Sequence, residues 1–394
     1  MIADWTLAEN TEQDMSIATN QRSGLTLAAC GDVAGGHNPA ESAFTYVKDA
    51  LRSADIRFAQ VEKLYSERGS YQGISGAANL EVRQPLHTAT AFQSVPFNML
   101  SLASNHTGDW GPEAIADTVD TFRKLAIPTI GAGHNIAEAR QPAIFEGNGL
   151  RVAFLGYCSV LLPQFWATAE RAGCAPMRAS TYYEPYEYQP GAPPHIVTIP
   201  HRGDLDALVQ DVRAARQVAD LVVVSLHWGL HFTHTPQEYQ PIVAHAAIDA
   251  GACAILGHHA HQQQGVEWYQ GAPVFYSLGN LACHRRGGGY ALCMPSGDYH
   301  HKEVFSAEMD PGHYYDYRRH WNEGGIAYLD LDRSGVRRAT YLPTFMNDLG
   351  QPEIVQPGDP QFETSRHYLE WLGGRVHGGI TSISASDGRY VLHA

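Results

Sequence analysis

The run Asp220-Leu-Val-Val-Val-Ser-Leu226 is apolar, β-branched and unbroken, and it stops on His227. A run of this kind offers both of its faces to a core, as strands inside parallel sheets do, whereas a half-exposed strand alternates. The arrangement recurs along the chain. Leu25–Cys30 ends on Gly31-Asp32, Ile56–Val61 on Glu62, and the apolar run 97–103 on Ser104-Asn105-His106. Cys253–Leu256 ends on Gly257-His258-His259-Ala260-His261, and Pro273–Leu278 on Gly279-Asn280. Helical spacing of apolar residues over 41–52, 112–125, 204–217 and about 237–250 fills the intervals. Strands alternating with helices predict an α/β fold, and such folds gather their ligands at the C-terminal ends of strands.

The remaining segments are read as follows. Residues 1–23 form a polar arm, 24–345 a metal-binding catalytic α/β domain, and 346–394 a C-terminal appendage packed on the same domain. The aromatic, proline-rich stretch at about 158–200, with its Tyr182-Tyr-Glu-Pro-Tyr-Glu-Tyr188 run, is an irregular insertion at the rim of a pocket. Antiparallel strands are expected over 302–308 and 325–345, a helix over about 361–372 and a hairpin near 380–392.

Charge and cysteine content narrow the partners. With 27 basic against 41 acidic residues the formal charge is −14, which argues against nucleic acid or an anionic membrane. An anionic substrate stays open, because a metal cluster reverses the local field. No apolar stretch is long enough for a membrane span, and the N-terminus lacks a signal-peptide pattern. The six cysteines form no CxxC pair and read as reduced thiols of a cytoplasmic chain. The partner is then a small-molecule or peptide-like substrate, with a homo-oligomer left open.

The polar clusters carry the chemistry. Gly257–His261 places three imidazoles within four residues, an arrangement costly to bury without a metal or other partners. Carboxylates and imidazoles together suit one or two divalent ions of the Mn, Fe or Zn type. Two such ions could activate a shared water and stabilise charge on a substrate oxygen. That route needs no serine or cysteine nucleophile, and the chain has neither a GxSxG elbow nor a Walker A motif.

These clusters, in this order, resemble the CapA family of poly-γ-glutamate capsule biosynthesis proteins, whose fold is similar to calcineurin-like metallophosphoesterases. The resemblance rests on Gly31-Asp32, Ala54-Asp55 leading to Gln60-Val61-Glu62, and Ser104-Asn105-His106-Thr-Gly-Asp109-Trp-Gly111. It continues through Gly131-Ala-Gly-His-Asn135, His227-Trp228-Gly229, Gly257–His261 and Tyr276-Ser-Leu-Gly279-Asn280. It implies a sandwich of mixed β-sheets flanked by helices. It also implies Asp32, Glu62, His106, His227, His258 and His261 as metal ligands, with His259 competing with His258. Asn105 would orient a substrate oxygen or ligate metal through its amide oxygen, and Asp109 would position His106.

Several positions depart from the family pattern. Gln60-Val61 replaces Asn-Leu, Ser104 replaces Asn, Cys253 replaces Asp and Ala260 replaces Pro. Asn79-Leu80-Glu81 spells the usual triplet but lacks the Ala-Asp strand before it and is set aside. His231 stands where Glu is common, and it either binds substrate, serves as acid/base, or is a surface histidine. The leading expectation is a metal-dependent hydrolase using metal-activated water on an amide, peptide-like or related substrate. A phosphoesterase is the first alternative, and would draw on the Arg285-Arg286 or Arg318-Arg319 pairs. A non-catalytic role in capsule or poly-γ-glutamate synthesis is the second.

Overall fold

Alternate side chains of the strand Leu25–Ala34 enter two different cores. Leu25, Leu27 and Ala29 pack with Phe58, Phe154, Val223 and Leu256, while Ala28 and Cys30 pack with Phe44, Leu51, Ile115 and Phe122. Leu221–His227 divides in the same way: Leu221 and Val223 join the first core, and Val222 and Val224 join a third with Leu208, Val212, Val243 and Ala247. The period-2 geometry of a strand therefore builds an α/β sandwich. Two mixed sheets meet over the first core, and each is covered on its outer face by helices. The computed structural model describes residues 24–72, 83–185, 187–192, 194–284 and 317–393. The expected arm 1–23, the Asn79-Leu80-Glu81 triplet, Arg285-Arg286, Cys293 and the expected strand 302–308 lie outside the described residues, as does the side chain of Arg318.

The larger sheet runs, in spatial order, Ile383–Ser386, Arg389–Leu392, Gly335–Met346, Glu323–Asp332, Leu25–Ala34, Ile56–Val61, Met99–Ser101 and Thr129–Ile130. Asn280–Cys283 pairs with the end of Leu25–Ala34, and Pro352–Ile354 with Gly335–Met346. The second sheet runs Val266–Tyr269, Ala272–Phe275, Ala254–His258, Leu221–His227, Leu150–Cys158 and Ala143–Gly147. Leu25–Ala34, Ile56–Val61 and Met99–Ser101 are parallel to one another, as are Leu150–Cys158, Leu221–His227 and Ala254–His258. The C-terminal ends of these two parallel sets carry the polar clusters.

Four local readings differ from the sequence expectation. The helix expected over 41–52 divides into a 3-10 turn, Ala40–Phe44, and a short helix, Lys48–Arg52; Thr45, Tyr46 and Val47 between them are weak helix formers. The 158–200 stretch is not irregular throughout: Ala179–Pro185 and Pro194–Pro200 form an antiparallel hairpin outside both large sheets. Leu25–Ala34 continues beyond Asp32, which lies within the strand and not past its end. Asn280 opens a strand, because Ala272–Phe275 stops short of it. No helix among the described residues is long and apolar enough to cross a membrane.

Phe58 ties fold to site. It is fully buried, stacks on Phe154 of the facing sheet at 6.2 Å, and lies 5.8 Å from the His258 ring. Phe58→Ala is expected to cost about 3–5 kcal/mol through lost burial and the cavity left behind. Urea or thermal denaturation measures this; an unchanged midpoint would show that the two sheets do not depend on this contact.

Candidate metal centre

Asp32 is placed by a change of partner. Up to Cys30 its strand pairs with the antiparallel Glu323–Asp332 strand; from Asp32 it pairs with the parallel Asn280–Cys283 strand, Asp32 opposite Asn280. The register shifts at this point against both parallel neighbours, a bulge that re-aims the carboxylate. Gly31 permits the crossing: a Cβ there would lie 1.9 Å from the carbonyl oxygen of Gly279. Glu62 follows Ile56–Val61 directly, its N–H donating to Val33 O at 3.0 Å.

The histidine cluster turns sharply. Ala254–His258 ends on His258, after which His259 (φ 91°) and His261 (φ 54°) occupy left-handed conformations that side chains rarely adopt. Such backbone costs about 1–3 kcal/mol per residue and gathers at functional sites. It brings the His259 N–H to 3.2 Å from Asp32 Oδ2 and the His261 imidazole between Asp32 and Glu62, at 3.5 and 3.4 Å.

One donor atom from each of Asp32, Glu62 and His261 lies within 4.8 Å of the other two, and all three residues are buried. Next to this group, Asn105 Oδ1, His259 Nδ1 and Glu62 Oε1 lie 2.8, 3.2 and 3.3 Å from His227 Nε2. The two oxygens of Glu62 thus face different histidines, Oε1 toward His227 and Oε2 toward His261. His258 Nδ1 is 3.5 Å from Asp32 Oδ1. Asp32 Oδ1, His227 Nδ1 and both ring nitrogens of His258 are buried without a hydrogen-bond partner. Burial, followed by the Asp32 charge, pushes the Glu62 carboxyl above its ordinary value. Burial, followed by the surrounding imidazoles, holds His227 well below its own. Two buried carboxylates among imidazoles, with polar atoms left unsatisfied, form a donor set that fits a divalent ion.

His106 and Asp109 stand at the edge of this set. His106 Nδ1–H donates to Asp109 Oδ2 at 2.8 Å, and Asn105 Nδ2–H donates to His106 Nε2 at 3.2 Å. Both ring nitrogens are therefore engaged in this arrangement, with Asp109 holding the imidazole in one orientation. His231 does reach the cluster, its ring 3.8 Å from that of His259 and 5.3 Å from that of His261. Sequence reasoning missed Trp321, whose ring lies 4.8 Å from His261. It also assigned nothing to Ser104 beyond a departure, yet Ser104 Oγ donates to Glu62 Oε1 at 3.4 Å. No motif marks Trp321; only the return of the chain to the larger sheet brings it here.

The family model described as bacterial capsule synthesis protein PGA_cap matches residues 26–285. A capsule biosynthesis protein CapA of Bacillus anthracis is 28% identical over 290 residues, covering 70% of this chain and 64% of that protein. A PGA biosynthesis protein CapA of Bacillus subtilis is 28% identical over 243 residues, covering 61% of this chain and 57% of that one. The matched parts thus span less than two thirds of these relatives' length. Among solved structures, TT1561 of Thermus thermophilus aligns over 66% of this chain and 90% of that one, with 8% identity and a TM-score of 0.38. With residues 26–285 matched as a unit, the chain belongs to the bacterial capsule synthesis protein PGA_cap family.

Proposed function

We propose that this chain is a divalent-metal protein of bacterial capsule or poly-γ-glutamate synthesis, and that its strand-end cluster engages a glutamate-rich, peptide-like polymer or its precursor. One observation carries the reading: Asp32, Glu62 and His261 bring donor atoms within 4.8 Å of one another in a buried site. The family membership and the names of the relatives support the polymer. On this reading residues 24–345 are the metal-binding domain, of calcineurin-like metallophosphoesterase type, and 346–394 an appendage to it. The pairing of Pro352–Ile354 and Arg389–Leu392 with Gly335–Met346 supports that attachment. Free thiols at Cys30, Cys158, Cys174, Cys253 and Cys283 support a cytoplasmic place.

Asp32, Glu62 and His261 would hold one ion, and His227, His259 and Asn105, sharing Glu62, a second, with His258 beside Asp32. When bound, ions of the Mn, Fe or Zn type supply Lewis acidity toward a water and toward a substrate oxygen. A second reading, hydrolysis of an amide or peptide-like bond, is favoured by the convergence of Asn105, His227 and His259 beside Glu62. There Asn105 orients the substrate oxygen, and Asp109 keeps the His106 proton on Nδ1 so that Nε2 accepts from Asn105. His231, half-buried against His259, carries the proton to the leaving group. A phosphoester substrate has less support among the described residues: Arg319 is already paired with Glu323 at 3.4 Å and lies over Tyr368.

The test is to incubate the chain, with and without Mn²⁺, Zn²⁺ or Fe²⁺, with γ-linked glutamate oligomers and with a panel of phosphoesters. A chain of charge −14 is expected to bind the anionic oligomer only when loaded with metal. Metal-dependent binding without turnover supports the synthesis role alone, and release of shortened oligomers supports hydrolysis as well. Turnover confined to phosphoesters, or oligomer binding indifferent to metal, would overturn the proposal.

A further inference from the structure

Asn280 is fully buried where the Asn280–Cys283 strand meets Asp32. Its amide is oriented by backbone. Nδ2 donates to the carbonyl oxygens of His261 at 3.1 Å and of Trp321 at 3.0 Å. Carbonyl oxygens only accept, so the NH₂ end of the amide must face them and the oxygen must face the other way. In that direction Oδ1 lies 2.8 Å from His261 Nδ1, and Cys283 Sγ–H reaches the same oxygen at 3.4 Å.

The consequence concerns His261. An amide oxygen has no proton to give, so in its neutral form the imidazole carries its single proton on Nδ1, which leaves Nε2 bare. Asp32 Oδ2, at 3.5 Å from the same nitrogen, is too distant to compete with the 2.8 Å bond. The bare Nε2 faces Glu62 Oε2 at 3.4 Å, within the cluster. We propose that Asn280 is a positioning residue that fixes the Nδ1–H tautomer of His261 and so presents the Nε2 lone pair to the metal centre. The inference rests on the metal reading above, and it gives a role to chain beyond the matched span 26–285. The main chain of Trp321 holds the far end of the Asn280 amide, in a helix, Tyr317–Asn322, that runs directly into the Glu323–Asp332 strand.

The experiment pairs two readouts on the full chain. Long-range ¹H–¹⁵N spectra of metal-free, histidine-labelled protein, with His261 assigned through His261→Gln, report the tautomer. Zn²⁺ and Mn²⁺ titrations report affinity. The wild type is expected to show Nδ1–H at His261. Asn280→Ala is expected to shift His261 toward Nε2–H and to weaken metal binding by about 10–100-fold, the usual effect of removing a partner behind a ligand. Asn280→Asp keeps the acceptor and loses both donated bonds, so it is expected to retain Nδ1–H and most of the affinity. It also keeps the test available if Asn280→Ala does not fold. Nε2–H in the wild type, an Asn280→Ala chain with unchanged tautomer and affinity, or an Asn280→Asp chain with Nδ1 unprotonated would each overturn the proposal. A wild-type chain that binds neither ion overturns the metal reading instead, while the spectrum still decides the tautomer.

Discussion

Glu62→Gln is expected to abolish tight divalent-metal binding while leaving the metal-free chain at least as stable as the parent. The two effects have one cause. Glu62 is buried beside Asp32, and burial followed by that neighbouring charge raises its carboxyl above the ordinary value. A carboxyl whose folded-state value is raised lowers stability as pH rises from its unfolded value toward the folded one, so ionised Glu62 is a cost to the metal-free fold. Glutamine keeps the shape and the Ser104 contact and removes the charge. With an ion present the balance reverses, because the same carboxylate faces His227 with one oxygen and His261 with the other. An ion held at a hundred times its dissociation constant stabilises a fold by about 2.7 kcal/mol. Melting curves with and without Zn²⁺ should therefore show a metal-dependent rise for the parent and none for the variant. A variant that still rises would remove Glu62 from the ligand set.

Gly31→Ala should be more damaging than most core truncations although it adds one methyl group. The new Cβ would stand 1.9 Å from Gly279 O and 2.8 Å from Gly279 C, both backbone atoms. The hydrogen bond from Asp32 N–H to Gly279 O, 2.9 Å long, closes the same seam. Overpacking in a closed interior costs about 1–3 kcal/mol when side chains can yield, and here only main chain could move. Moving it would separate Asp32 from Asn280 and so disturb Asp32 and His261 together. Loss of soluble protein, or a large fall in melting temperature with loss of metal binding, is the expected result. Gly257→Ala, whose Cβ would meet Tyr276 O at 2.1 Å, should behave alike. A Gly31→Ala chain with parental melting and metal content would show that this seam is not close-packed in solution.

Much of the sandwich could be read from the chain because strands buried on both faces leave unbroken apolar runs. Leu221–His227 and Ile56–Val61 fall where those runs predict, and Pro112–Lys124 and Arg202–Arg216 follow their apolar spacing. The polar residues that end the runs were equally visible, and Asp32, Glu62, His227 and the 258–261 histidines do converge. What stayed hidden depends on three-dimensional crossings. The bulge at Asp32 comes from pairing with strands distant in sequence. The left-handed turns at His259 and His261 occupy non-glycine residues, where local propensity points the other way. The hydrogen bonds that His106 makes to Asp109 and Asn105 depend on the turn that follows Ser104. Trp321 reaches His261 only because the chain re-enters the larger sheet at Glu323. The hairpin Ala179–Pro185 with Pro194–Pro200 leaves no apolar run to read, because most of its first strand, Tyr182 and Tyr183 included, is exposed.

Element analysis of protein purified without chelator, by inductively coupled plasma mass spectrometry, decides whether the cluster of Asp32, Glu62 and His261 holds an ion. The parent chain should carry at least one equivalent of Mn, Fe or Zn, or take it up and keep it through desalting, while Glu62→Gln loses it. The same trace metal content in both proteins after reconstitution would show that Glu62 and its neighbours hold no ion.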